Sequence, residues 1–182
     1  MMAKKYINGI LSIIWMKIRH PFVKTSGWHY VRPGTEIIMR NGGVLSIGGK
    51  VATQYRVTFS VIGGNLSIDN NTSFNRNNIL VCREKIQIGS RCSFGPNVVV
   101  YDHDHAFNSE QVSGNHFKTS EIVIEDNCWI GANVTILRGT HIGKGSVIGA
   151  GSVVKGNIPP HSLVKMSREL NIEKIKDRSR LV

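Results

Sequence analysis

Two carboxylates alternate with two imidazoles in the run Asp102-His103-Asp104-His105. A neutral imidazole takes up a proton near neutral pH, which suits general-base work on a weakly nucleophilic hydroxyl. On a strand, residues two apart share a face. His103 and His105 would then line one side, and Asp102 and Asp104 would point the other way unless a turn intervenes. A carboxylate of this run can still orient an imidazole. The His-x-His spacing also suits a metal ion, with His116 as a third ligand. Cys128 is a nucleophile by type, but nothing pairs it with a base, and it reads as a packed small residue.

The elements around this run repeat every six residues. From Ile124 six consecutive hexads begin with Ile or Val: Ile124, Ile130, Ile136, Ile142, Ile148 and Val154. Gly is frequent at the second position, and the fifth is small or β-branched in most hexads. The same register holds from Ile88 through Phe94 to Val100, and more loosely from Ile47 and Ile68. Apolar residues do not recur at helical spacing. Such a repeat builds a solenoid in which three hexads make one triangular coil. The first residue of each hexad points into the prism, and Gly or Asn takes up the turn dihedrals. The expected fold is all-β, a left-handed parallel β-helix. Residues 106–123 match the hexads poorly and read as a loop protruding from the prism, where function often sits.

The chain has 182 residues, 23 Lys and Arg against 12 Asp and Glu, and a net charge of +11. The first acid is Glu36, so residues 1–35 form a basic segment. Within it, residues 6–20 read as a helix, with Ile7, Ile10, Leu11, Ile14 and Ile18 at helical spacing. It would cap the solenoid or lie on an anionic membrane surface. Residues 36–165 form the β-helix domain. Residues 166–182 are a tail with a short helix from about Ser167 to Arg180. Three scattered cysteines make no disulfide framework, and a reducing cytoplasm is the expected location. No apolar run reaches the roughly 18 residues of a membrane span. No basic stripe interleaved with aromatics, helix-turn-helix or zinc-finger pattern is present, so nucleic acid is not an expected partner.

Taken together, Asp102-His103-Asp104-His105, the following loop, and Ile124-Glu-Asp-Asn-Cys-Trp-Ile-Gly-Ala-Asn-Val-Thr-Ile-Leu-Arg-Gly139 resemble the hexapeptide-repeat acyltransferases. The likeness continues through Ile142–Val154 and Ile158–Val164. It looks most like the branch of galactoside, maltose and streptogramin acetyltransferases and the bacterial polysaccharide O-acetyltransferases. It is strong over residues 86–165, weaker over 44–85 and absent from the first 35. The resemblance implies a homotrimer with each active site between neighbouring prisms, acetyl-CoA as co-substrate and no metal. It also implies direct attack by a saccharide hydroxyl, with His105 as the base. His103 and Asp104 join it as catalytic candidates. Trp129 would wall the cleft. Gly131, Ala132, Gly149 and Ala150 would let the pantetheine arm lie against the backbone, and Lys155 and Lys165 would meet the coenzyme's phosphates. Lys165-Met-Ser-Arg-Glu169 departs from the Gly-Val-Pro-Ala type of stretch usual after the Pro-Pro segment. The role expected is O-acetylation in surface-polysaccharide synthesis. The alternatives are N-acetylation of an amino sugar or its nucleotide, and a non-catalytic or zinc-binding β-helix. A zinc carbonic anhydrase with three histidines shares the fold.

Overall fold

The computed structural model describes residues 23–32 and 34–166. The helices expected at 6–20 and after Ser167 lie outside the described residues. Among the described residues every regular element is a β-strand. Short parallel strands stack into three sheets that form the faces of a prism. The first face has seven strands, from Val23–Thr25 to Asn157–Ile158. The second has six, from Ala52–Thr53 to Leu163–Val164. The third also has six, from Glu36–Arg40 to Val153–Val154. Val23–Thr25 already pairs in parallel with Val44–Ile47, upstream of the point at Glu36 where the sequence places the start of the β-helix.

The hexad rule has a direct physical cause. Successive side chains on a strand alternate in and out. Ile124, Ile130, Ile136, Ile142 and Ile148 are all at most 1% exposed. The small fifth residues Cys128, Val134, Thr140, Ser146 and Ser152 pack inside the corners. Their hydroxyls stay satisfied, Ser146 donating to Pro159 O at 3.0 Å and Ser152 to Gly149 O at 2.7 Å. Asn77, Asn97 and Asn133 occupy left-handed corner positions that Asn tolerates. Their amides form a ladder at 3.0 Å per step. In the wider early coils aromatic rings fill the prism. Phe74 meets Phe59 edge-on at 5.3 Å and stacks on Phe94 at 4.6 Å.

The interruption differs from the loop expected at 106–123. Ile88 pairs directly with Ile124, so this stretch is one coil carrying an insertion rather than two coils. The insertion is an antiparallel hairpin of His103–Phe107 and Val112–Thr119. Ile122 and Ile124 are buried and already belong to the first face. The hairpin thus leaves the prism where the third face turns into the first.

Candidate active site

The Asp-His-Asp-His run is the root of this hairpin. Tyr101 pairs with Val81, which sets Asp102 above Cys82 and against the corner of the coil below. The Asp102 side chain is fully buried. Its carboxylate accepts the backbone N–H groups of Arg83 (2.9 and 3.0 Å), Glu84 (2.7 Å) and Lys85 (3.0 Å). Asp102 Oδ1 also lies 3.1 Å from His103 Nδ1. An oxygen already facing N–H donors takes the Nδ1 proton of His103 rather than offering one. This assigns the Nε2–lone-pair tautomer to His103. The His103 side chain is 11% exposed.

Asp104 turns toward the coil above and pairs with Nε of Arg138. The two carboxylates therefore pin the hairpin root from below and from above. His105 Nδ1 stands 2.9 Å from the carbonyl of Ser113 across the hairpin. A carbonyl only accepts, so His105 also carries its proton on Nδ1. The ring of Phe117 contacts both imidazoles, at 5.4 Å from His103 and 4.8 Å from His105. The expectation that these two histidines share a side is met by this common neighbour. Arg83 covers Phe117 with its guanidinium carbon 3.6 Å from the ring centre. Tyr101 lies edge-on to His103 at 5.7 Å.

Arg83, Phe117 and Arg138 are absent from the sequence-derived site. Arg138 sits one coil above, a neighbour visible only once the insertion is recognised as an excursion within a single coil. His116 is exposed on the returning strand. Among the described residues no group of three or more His, Cys, Asp or Glu could hold a metal ion. Cys128 is 1% exposed inside the prism, and its thiol lies 3.4 Å from Gly143 O. No substrate reaches it there.

The other candidates divide between edges. Trp129 points outward from the second face, 58% exposed. The adjoining corner carries Gly131 and Ala132, with Gly149 and Ala150 one coil above. Packing alone demands glycine here, because a Cβ at Gly131 would come within 2.7 Å of Ala150 N. Ala132 and Ala150 keep the outside of this edge low. Lys165 follows Val164, which pairs with Ile148, so it caps the same corner. Lys155 follows Val154 on the third face and stands at the hairpin's edge instead. The described chain thus gathers Trp129, Gly131, Ala132, Gly149, Ala150 and Lys165 at one edge. His103, Asp104, His105 and Lys155 stand at another, across the third face.

Known proteins share this repeat and this fold. The sequence profile described as bacterial transferase hexapeptide (six repeats) matches residues 121–156. The galactoside O-acetyltransferase of Escherichia coli K12 is 33% identical over 131 residues, covering 69% of this chain and 64% of that protein. Among curated relatives the chain spans about half to two thirds of their length. The crystal structure of a hexapeptide-repeat acetyltransferase of Vibrio cholerae, in complex with acetyl coenzyme A, superposes with a TM-score of 0.57. It is 24% identical, and the match covers 84% of this chain and 71% of that one. The N-acyltransferase AntD of Bacillus cereus, solved as a mutant with dTDP and coenzyme A, gives a TM-score of 0.65 at 20% identity. That match covers 84% and 83% of the two chains. The matched hexads are those whose first residues fill the prism, and through them the chain carries the hexapeptide repeat of the bacterial transferases.

Proposed function

We propose that this protein is an acetyl-CoA-dependent O-acetyltransferase acting on a saccharide hydroxyl. The observation that carries this reading is the buried Asp102 carboxylate holding His103 Nδ1, which leaves Nε2 to act as a base. His103 rather than His105 is the base in this reading. A carboxylate stabilises the imidazolium that forms during proton transfer, whereas the Ser113 carbonyl only orients His105. His103 Nε2 takes the proton as the acceptor oxygen attacks the thioester carbonyl. The C–S bond breaks, and the imidazolium returns its proton to the departing thiolate. No acyl-enzyme forms. Backbone N–H groups along the Gly131 and Gly149 edge offer bonds to the pantetheine amides, and Lys165 offers charge to the coenzyme's phosphates.

The imidazoles and the small-residue edge lie across a face from one another in one protomer. A homotrimer of left-handed prisms, with the imidazoles of one copy meeting the Trp129 edge of the next, completes the site in this reading. The likeness to a galactoside O-acetyltransferase supports a hydroxyl acceptor, and a 29% identity to a lipopolysaccharide-biosynthesis O-acetyl transferase of Escherichia coli K12 supports a role in surface-polysaccharide synthesis. The basic residues ahead of the prism, Lys4, Lys5, Lys17 and Arg19, would hold the enzyme to the cytoplasmic face of a membrane. The fold shared with an N-acyltransferase favours one second reading, in which the acceptor is the amine of an amino sugar.

Thiol release from acetyl-CoA, followed colorimetrically with sugars, amino sugars and nucleotide sugars, tests this. Acceptor-dependent release that disappears in His103→Ala, with acetyl-CoA binding within about twofold of wild type, is the expected result. Full turnover in His103→Ala together with its loss in His105→Ala would return the base to His105. Release only with amines would select the second reading. No release and no acetyl-CoA binding would end the acetyltransferase reading.

A further inference from the structure

The edge that carries Gly131 and Gly149 changes character in the lower coils. The carbonyls of Tyr55, Arg76, Pro96 and Ala132 accept from Asn77, Asn97, Asn133 and Gly151 in turn, so these four residues form one column along the corner. Its upper half is small and uncharged. Its lower half is aromatic and cationic. Arg76 lies 5.6 Å from the ring centre of Tyr55, and Arg32 lies 5.7 Å from the same ring and 5.0 Å from that of Tyr30. The backbone of Arg32 is tied in through its N–H to Thr53 Oγ1 at 3.3 Å.

Two guanidinium groups gathered on one phenol repel each other unless an anion joins them. Elsewhere this protein pairs such cations: Arg91 with Asp126, Arg138 with Asp104, Lys85 with Glu121. Among the described residues neither Arg32 nor Arg76 has a carboxylate partner. A cleft of roughly 280 Å³ opens beside them, with Gln54 and Asn75 in its lining. Ser73, Ser93 and Trp129 also line it, and no acidic side chain does. Guanidinium forks match phosphate oxygens in pairs. Neutral amides and hydroxyls suit sugar hydroxyls, and an exposed indole suits the apolar face of a pyranose ring.

We infer that this cleft binds a saccharide bearing a phosphate or pyrophosphate, with the sugar toward Trp129 and the phosphate at Arg32 and Arg76. The inference rests on the acetyltransferase reading for the ligand's role as acceptor, and deepens it by giving the acceptor's chemical class. Coenzyme A also carries phosphates, so the two sources must be separated.

Calorimetric titration of the full chain with inorganic pyrophosphate, glucose 1-phosphate and UDP-glucose does so, with methyl glucoside as the neutral control and acetyl-CoA in parallel. Arg76 is exposed, so Arg76→Gln leaves the fold alone; Arg32→Gln/Arg76→Gln is followed with a thermal melt. The expected result is binding of at least one phosphate ligand, tenfold or more weaker in Arg76→Gln and weaker again in the double variant. Acetyl-CoA binding should stay within about twofold. Absence of binding by all three phosphate ligands, or binding indifferent to Arg76→Gln, would overturn the inference. So would an equal loss of acetyl-CoA affinity, which would assign the patch to the coenzyme. If wild type binds no acetyl-CoA but binds a phosphate ligand through Arg76, the site stands and the acetyltransferase reading falls.

Discussion

Asp102 Oδ1 lies 3.1 Å from His103 Nδ1, and the same carboxylate accepts three backbone N–H groups from the coil below. One buried group thus fixes both the hairpin root and the imidazole tautomer. Asp102→Asn keeps the shape but sets an amide donor among donors. Turnover should fall by about 10²-fold or more, as when a base loses its correct tautomer. An unmet buried N–H costs about 1–3 kcal/mol, so the melting temperature should drop as well. Acetyl-CoA affinity should change by less than twofold. Steady-state kinetics, a thermal melt and a coenzyme titration on the same preparation check all three; unchanged kcat would remove Asp102 from the mechanism.

The hexads from Ile124 onward were legible because each side of the prism there takes six residues or close to it, and the inward Ile or Val marks every one. The early coils were harder to read. Their strands are longer, as in Glu36–Arg40 and Thr58–Ile62, so the marker drifts. The Asp-His-Asp-His run was visible as chemistry, and alternation placed His103 and His105 together. Alternation alone did not give Asp102 to His103, because the hairpin leaves the prism at this point and the corner turns the carboxylate under its neighbour. Arg83, Phe117 and Arg138 reach the site by coil stacking and hairpin pairing, neither of which sequence distance reveals.

Arg138 holds Asp104 from the coil above the hairpin. The pair is part-exposed, with side chains 25% and 41% accessible, so its loss should cost stability no more than about 1 kcal/mol. Its expected effect is on the aim of the hairpin. Arg138→Ala should lower kcat several-fold while leaving the acetyl-CoA dissociation constant and the melting temperature nearly unchanged. Arg138→Lys should recover part of kcat, since the charge remains and the fork does not. A purely structural pair would instead move the melting temperature and leave kcat alone.

All three thiols lie inside the prism: Cys82 and Cys92 are fully buried, and Cys128 is 1% exposed. Burial pushes the Cys82 thiol far above its ordinary range, and the neighbouring Asp102 charge adds to that. Cys92 is pushed up by its hydrogen bond to Cys128 and by burial. The same bond pulls the Cys128 thiol down to about 7, so for Cys128 enclosure in the prism rather than its charge state is the shield. A colorimetric disulfide reagent should therefore find no thiol in the native protein and three after denaturation. Cys128→Ser should keep full acetyl transfer. Rapid labelling of one native thiol, with loss of activity, would reopen Cys128 as a nucleophile.

Gly131 and Ala150 separate packing from coenzyme binding at one corner. A Cβ on Gly131 would lie 2.7 Å from Ala150 N and 2.8 Å from Ile148 O, so Gly131→Ala forces two coils apart. Overpacking of this kind costs about 1–3 kcal/mol. At about 2–4 °C per kcal/mol for a chain of this size, the melt should move by several degrees. Ala150 is exposed, and Ala150→Val adds bulk only to the outside of the edge. It should leave the melt where it is and weaken acetyl-CoA binding tenfold or more if the pantetheine arm lies along this corner. Unchanged affinity in Ala150→Val would move the arm off the edge, leaving Gly131 and Gly149 as packing residues alone.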